Sequence, residues 1–391
     1  MSFQDVLEST ETYLKECVAP RAEIIDSDSE ALKIALTGLE NRSLLALRVP
    51  QNWGGADIPP QFYHEYQELT ARYSGALCFL QTQHHSATAM LASSDNEMLK
   101  TRYLRAIAQK ELRLGVGFSH LRRSGNPAVT ATPAKDGYLL SGNVPWITGF
   151  GLFEKFVVAA VLPDNRAVFG LLPLSNIQQE YGDNKSVMNV VQARIEDGQD
   201  AHPTTDLELL SGKIAVSEVM QLIAMNSTNT VTATLDNWLL QESEIISIKP
   251  VGWIAENDSK NILNFVPATF GCIRAGLDAI AATVAAKNSP VIAAACQKLE
   301  QKLDRLKQHF LQSQHSSKAE QLALRAEAID LAVRCGHAAV VVSSGAANGT
   351  LHPAGRVYRE ALVYSVSGQT KDVMLSTLDR ITNESILDFR F

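Results

Sequence analysis

The sequence predicts an α+β protein of several domains, helical at both ends and built from strands in the middle. Three observations predict it. Apolar residues recur at helical spacing up to about residue 112, and that spacing returns after about Asn257. Between them lie short apolar or alternating runs joined by Gly, Pro, Asn and Asp. The domains drawn from these changes are 1–112, α-helical; 113–250, a compact β-barrel or sandwich; and 251–391, a helical bundle. A chain of 391 residues is long enough for such a division.

Each element rests on its own residues. Phe3, Val6, Leu7, Tyr13, Leu14 and Val18 form a helical stripe, and a second helix is expected over 32–47, closed by the breakers Pro50-Gln51-Asn52-Trp53-Gly54-Gly55. Pro60 suits a helix start, and helices are expected over 62–73, 77–91 and 98–107. Strands are expected over 138–142, 156–162, 167–172, 213–216 and 228–235. In the last, Thr230, Thr232 and Thr234 alternate with Val231, Ala233 and Leu235. Leu299, Leu303, Leu306 and Phe310 mark an amphipathic helix, 319–342 a more apolar one, and 371–381 a final one, with a polar loop over 312–318.

A formal charge of −7 leaves no basic stripe for phosphates, which excludes nucleic acid as a main partner. No apolar run approaches the length of a membrane span, so no membrane partner is expected. The start, MSFQDVLESTETYLKE, lacks the basic and apolar regions of a secretory signal, and the five cysteines are scattered. A reducing, cytoplasmic address is the expectation. No metal site is expected: the cysteines lack ligand spacing, and His84 and His85 are adjacent on a helix and face apart. No GxGxxG, Walker loop, HExxH or GxSxG occurs.

Several stretches resemble the acyl-CoA dehydrogenase family. Val49-Pro50-Gln51-Asn52-Trp53-Gly54-Gly55 is similar to the family's turn after its early helices. Arg102-Tyr103-Leu104 with Ala108 and Glu111 is similar to its lead into the strand domain. Asp136-Gly137-Tyr138-Leu139-Leu140-Ser141-Gly142, then Trp146-Ile147-Thr148, matches its most specific element. Arg356-Val357-Tyr358-Arg359-Glu360-Ala361 and Thr370 fall on its C-terminal pattern. The similarity runs from roughly Leu45 to Ile381.

The resemblance implies an N-terminal α-helical domain, a middle β-barrel and a C-terminal four-helix bundle. It also implies FAD between the last two domains, and a homotetramer or homodimer whose neighbour touches the flavin. An acyl-CoA or other small-molecule substrate follows, with an electron-acceptor flavoprotein or a flavin reductase as partner. A flat aromatic cofactor needs an apolar wall and a few placed donors. The cofactor-binding candidates are Phe118, Ser119, Trp146, Ile147, Thr148 and Thr370. Trp146 would be the wall, Thr148 a donor near the hydride-accepting N5, and Ser119 a donor at the pyrimidine edge. The alternatives stay open: Trp146 as a core aromatic, Thr148 as a strand end, Thr370 as a helix cap, and Arg356 and Arg359 as structural ion-pair partners.

The sequence departs from the family at the base. The glutamate that removes the α-proton is replaced by Gly368, and its alternative position on the first long C-terminal helix by Asn264; neither can take a proton. No catalytic residue is assigned. Replacing the family's loop, His120-Leu121-Arg122-Arg123 supplies substrate-binding candidates: His120 as an acid or base, Arg122 and Arg123 for a phosphate or carboxylate. A buried histidine and a solvated loop pair are the plainer readings. Three functions follow: an FAD-dependent, acyl-CoA dehydrogenase-like oxidoreductase acting on a CH–CH group, a flavin-dependent monooxygenase of the same fold, and a non-catalytic flavin- or ligand-binding relative.

Overall fold

A computed structural model describes residues 3–181 and 210–382. Helix α1 (Phe3–Tyr13) runs through a π turn and a 3-10 turn into α2 (Ala22–Ser27). Pro20 lies in that 3-10 turn, where a residue without an N–H cannot continue an α-helical ladder. The side chain of Asp28 caps α3 (Ser29–Asn41) by accepting from the Ala31 N–H at 2.8 Å. The helix expected over 32–47 ends early, because Ser43 turns left-handed (φ 60°) and a 3-10 turn, Leu44–Ala46, follows. Helices α4 (Pro60–Tyr73), α5 (Gly75–Ala92) and α6 (Glu97–Ala108) complete this region.

Among the described residues nine strands follow: β1 (Leu114–Gly117), β2 (Val129–Ala134), β3 (Gly137–Ile147), β4 (Lys155–Val161), β5 (Ala167–Pro173), β6 (Ile177–Tyr181), β7 (Leu210–Val216), β8 (Val231–Gln241) and β9 (Ile245–Lys249). They form one sheet in the order β6-β7-β8-β3-β2-β4-β5-β9, with β1 parallel to β4. The join between β2 and β4 is a single residue pair, Thr130 with Val161. The sheet curls on itself: Gly170 on β5 lies so close to Leu240 on β8 that a side chain there would strike Leu240 Cδ2 at 2.6 Å. Buried Val144, Ile147, Phe156, Val158, Val168 and Leu240 fill the interior.

Helices α7 (Trp253–Lys260), α8 (Val266–Lys287), α9 (Pro290–Gln312), α10 (Lys318–Ser343), α11 (Pro353–Val366) and α12 (Lys371–Thr382) close the chain. Contrary to the expectation, α8 has the length and hydropathy of a membrane span. It is a core helix instead, with Phe270, Cys272, Ile273 and Leu277 buried against its neighbours. An ion-pair knot ties the regions together. Arg356 donates to Glu360 at 2.8 and 3.0 Å and to Glu23 at 3.3 Å. Arg359 donates to Asp26 at 3.0 Å, and the Gly75 N–H donates to Glu360 at 3.0 Å. His84 and His85 do not part company as expected. Their Nε2–H groups donate to Leu45 O and Leu44 O, each at 3.0 Å, so both pin the same 3-10 turn.

Candidate functional site

Strand β3 delivers the central element. A register shift against β8 between Val144 and Ile147 turns the strand end, so that Trp146 faces solvent while Ile147 is fully buried. The Trp146 indole is 46% exposed. Thr148 is buried, and its hydroxyl is shared with that of Thr230 at 3.2 Å. The donor expected to point at a cofactor is therefore engaged within the protein, because the residue ahead of β8 brings a second hydroxyl to it. Immediately after, Gly149 adopts φ 101° against the Phe153 ring, a conformation and a space open only to glycine.

The exit of β1 carries the next candidates. Gly117 packs against Phe156, Val144 and Ile147, and a Cβ would meet their side chains at 2.9 to 3.1 Å. Phe118 turns its ring edge-on to Phe169 at 5.6 Å, and Phe169 in turn meets Trp253 at 5.1 Å. Phe118 is thus a packing residue of the sheet–α7 contact. Ser119 opens a 3-10 turn and is exposed.

His120 lies inside the protein rather than at a site mouth. It is 3% exposed and its Nε2–H donates to Ala159 O at 2.9 Å. Burial lowers its pKa, the bond to Ala159 opposes that, and Arg123 adds to the lowering. Arg122 is committed to a bidentate pair with Asp258 on α7, both distances 2.7 Å, which leaves exposed Arg123 as the loop's cation. Thr370 accepts from the Val373 N–H at 3.2 Å and so caps α12.

Both base positions are neutral, and that of Gly368 is closed as well. Gly368 has φ 56°, and a Cβ there would fall inside the Phe265 ring, 2.7 Å from Cδ2 and nearer still to Cε2. Asn264 is exposed and bonds Asn261 Oδ1 at 3.1 Å. Beneath this contact, Arg325 is 4% exposed and donates to Ile262 O (2.9 Å), Ser367 O (2.6 Å) and Gly368 O (3.1 Å), with its guanidinium over the Phe265 ring. Burial pulls its pKa down to about 10; Asp258 opposes and Arg122 reinforces the shift. One neighbourhood therefore gathers Arg122, Asp258, Arg325, Phe265 and Gly368. Sequence reasoning missed Thr230, Asp258, Phe265 and Arg325. Only Thr230, in its alternating run, carried a local signal.

Residues 2–111 match the sequence model of the acyl-CoA dehydrogenase N-terminal domain. The chain is 21% identical over 218 residues to a 3-(aryl)acrylate reductase of Clostridium sporogenes, covering 53% of this chain and 55% of that one. It is 25% identical over 157 residues to the probable acyl-CoA dehydrogenase FadE25 of Mycobacterium tuberculosis, covering 39% and 40%. The chain thus spans about half the length of the curated relatives it matches. The fold matches butyryl-CoA dehydrogenase from Megasphaera elsdenii with a TM-score of 0.72 over 97% of this chain and 98% of that one, at 14% identity.

Proposed function

The chain belongs to the acyl-CoA dehydrogenase family, and from that premise we propose that it is an FAD-dependent oxidoreductase acting on the CH–CH group of an acyl thioester or a related substrate. The observation that carries this is the exposed Trp146 indole, held at a fixed strand end by the buried Ile147 and the Thr148–Thr230 pair. These residues fit a flavin in part. Trp146 would cover one ring face and Ser119 would offer a hydroxyl at its edge, while Thr148 would act by holding the strand end. When bound, the flavin supplies a hydride acceptor or donor.

The chain's own residues narrow the substrate. With Gly368 under Phe265 and Asn264 neutral, neither position supplies a carboxylate to remove an α-proton. That favours a carbon already activated, and a relative named for reducing an aryl acrylate supports an activated double bond as the "related substrate". The same reading includes a cytoplasmic address, a homotetramer or homodimer, and exchange of electrons with a flavoprotein or flavin reductase. The closed base position also favours a second reading, a flavin-dependent monooxygenase, which needs no such carboxylate.

An absorbance spectrum of the purified protein, with anaerobic titrations, tests the proposal. Acyl-CoA should bleach the flavin, or a 3-aryl acrylate should reoxidise the dithionite-reduced form. A protein that neither carries nor binds flavin refutes both readings. One that binds flavin but answers to no acyl-CoA, enoyl-CoA or aryl acrylate refutes the first. Trp146→Ala should weaken flavin retention roughly ten-fold, the loss of one aromatic contact.

A further inference from the structure

The bend that turns Trp146 outward is anchored on both of its flanks. Before it, the β3–β8 ladder holds Val144 against Ala233. Beyond it, the chain is bonded to the loop that leads into β8. Ile147 pairs with Val231, and the hydroxyls of Thr148 and Thr230 share a bond at 3.2 Å. The Gly149 N–H donates to Thr228 O at 2.8 Å, and Phe150 exchanges bonds with Asn229 at 3.1 and 3.0 Å. A bulge is a local bend in its strand, so the aim of a side chain within it follows from where the two flanks are fixed.

The loop that fixes the second flank is itself strained. Its 3-10 turn, Asn226–Thr228, lies between left-handed Met225 (φ 55°) and left-handed Asn229 (φ 48°). Side chains with a Cβ disfavour that conformation, so the surroundings must hold the loop in place. The holding groups come from α2. Asp26 Oδ1 accepts from the Met225 N–H at 2.7 Å, and the buried Ser227 hydroxyl donates to Ile25 O. Asp26 is 4% exposed, and its Oδ2 accepts from the Arg359 guanidinium of α11 at 3.0 Å. A carboxylate is tolerated at such depth when both charge and hydrogen bonds compensate it. Here one oxygen meets the C-terminal bundle and the other meets the loop behind Trp146.

We propose that Asp26 is a positioning residue for Trp146: by clamping the 225–230 loop to Arg359, it fixes where the exposed indole stands relative to the C-terminal bundle. The indole's role toward a flavin rests on the function proposed above; the clamp does not. Asparagine is the discriminating replacement. It keeps the shape, but its single carbonyl oxygen cannot accept from both the Met225 N–H and Arg359, so one of the two ties is lost.

Fluorine NMR of the full chain labelled with 5-fluorotryptophan tests this, with or without flavin. Trp146 is one of four tryptophans, and Trp146→Phe assigns its signal. In Asp26→Asn and Arg359→Leu the Trp146 signal is expected to move or split while those of Trp53 and Trp253 stay. Ser227→Ala removes one bond of the same clamp and should move it less; if neither charge variant folds, this variant decides in the same sense. Glu244→Gln, which breaks the ion pairs with Arg102 and Lys155, is the control for lost stability. A Trp146 signal unmoved by the clamp variants, or moved equally by Glu244→Gln, overturns the proposal. Where the parent binds flavin, Asp26→Asn should weaken retention by up to roughly ten-fold and add nothing to Trp146→Ala. Unchanged retention with a moved signal, or an additive loss, overturns the link to the cofactor. A parent that binds no flavin refutes the function proposed above and leaves the NMR result to judge the clamp.

Discussion

The contact between Gly368 and Phe265 can be tested by Gly368→Ala. Two costs add. A left-handed alanine at φ 56° costs roughly 1–2 kcal/mol relative to glycine. Its Cβ would also overlap the Phe265 ring, which must move while stacked on the Arg325 guanidinium; overpacking of this kind costs roughly 1–3 kcal/mol. The sum is about 2–5 kcal/mol. At roughly 2 °C per kcal/mol for a large domain, the thermal midpoint should fall by about 4–10 °C. Removing the ring separates the two costs: in the Phe265→Ala background the steric part vanishes and only the backbone part remains. The cycle should therefore show a favourable coupling of about 1–3 kcal/mol. Scanning calorimetry of the four proteins measures it. A midpoint for Gly368→Ala within 1–2 °C of the parent (roughly 1 kcal/mol), or strict additivity in the cycle, refutes the view that the ring occupies the side-chain space at this position.

Other outcomes follow from single features. Glu360→Ala strips Arg356 of its two short bonds and the Gly75 N–H of its acceptor, so a loss of roughly 3–5 kcal/mol is expected in thermal unfolding, with Glu360→Gln milder. Arg325→Lys cannot reach three carbonyls with a planar fork, and a loss of about 1–3 kcal/mol should appear in the same assay. Burial lowers the His84 pKa from 6.5 to about 4 and lowers that of His85 as well. The folded state thus prefers both rings neutral. Their stabilisation is complete above pH 6.5 and is lost as pH falls towards 4, so the midpoint should drop over that window, and His84→Gln should flatten the profile.

Much of the architecture could be read from local pattern. Leu303, Leu306 and Phe310 are buried along α9, and Pro60 stands at the first position of α4, because periodicity and capping are properties of adjacent residues. Boundaries failed where one backbone conformation decided them: α3 ends at Asn41, six residues before the apolar pattern does, because Ser43 turns left-handed. The candidate site was legible only where its residues are adjacent in the chain, as Trp146, Ile147 and Thr148 are at the end of β3. Phe265, Arg325 and Gly368 come from three separate elements, and nothing in the spacing of any one announces the others. His120 misled because it stands in a polar loop sequence beside Arg122 and Arg123, while its ring is drawn inward by the carbonyl of Ala159. The polar face of α5 did leave a trace, with Cys78, Gln81, Thr82 and His85 at helical intervals, but the sequence does not distinguish a buried polar face from a solvated one.

The single pair joining β2 to β4 divides the sheet into two jaws. One carries β3 and hence Trp146; the other carries β1 and hence Ser119. The span between indole and hydroxyl is therefore set by no ladder of backbone bonds but by packing across the two jaws, Val144 and Ile147 on Gly117 at one place and Leu240 on Gly170 at another. A methyl group added at Gly117 would prise the jaws apart like a shim, changing the span between Trp146 and Ser119 while each jaw kept its own internal pairing.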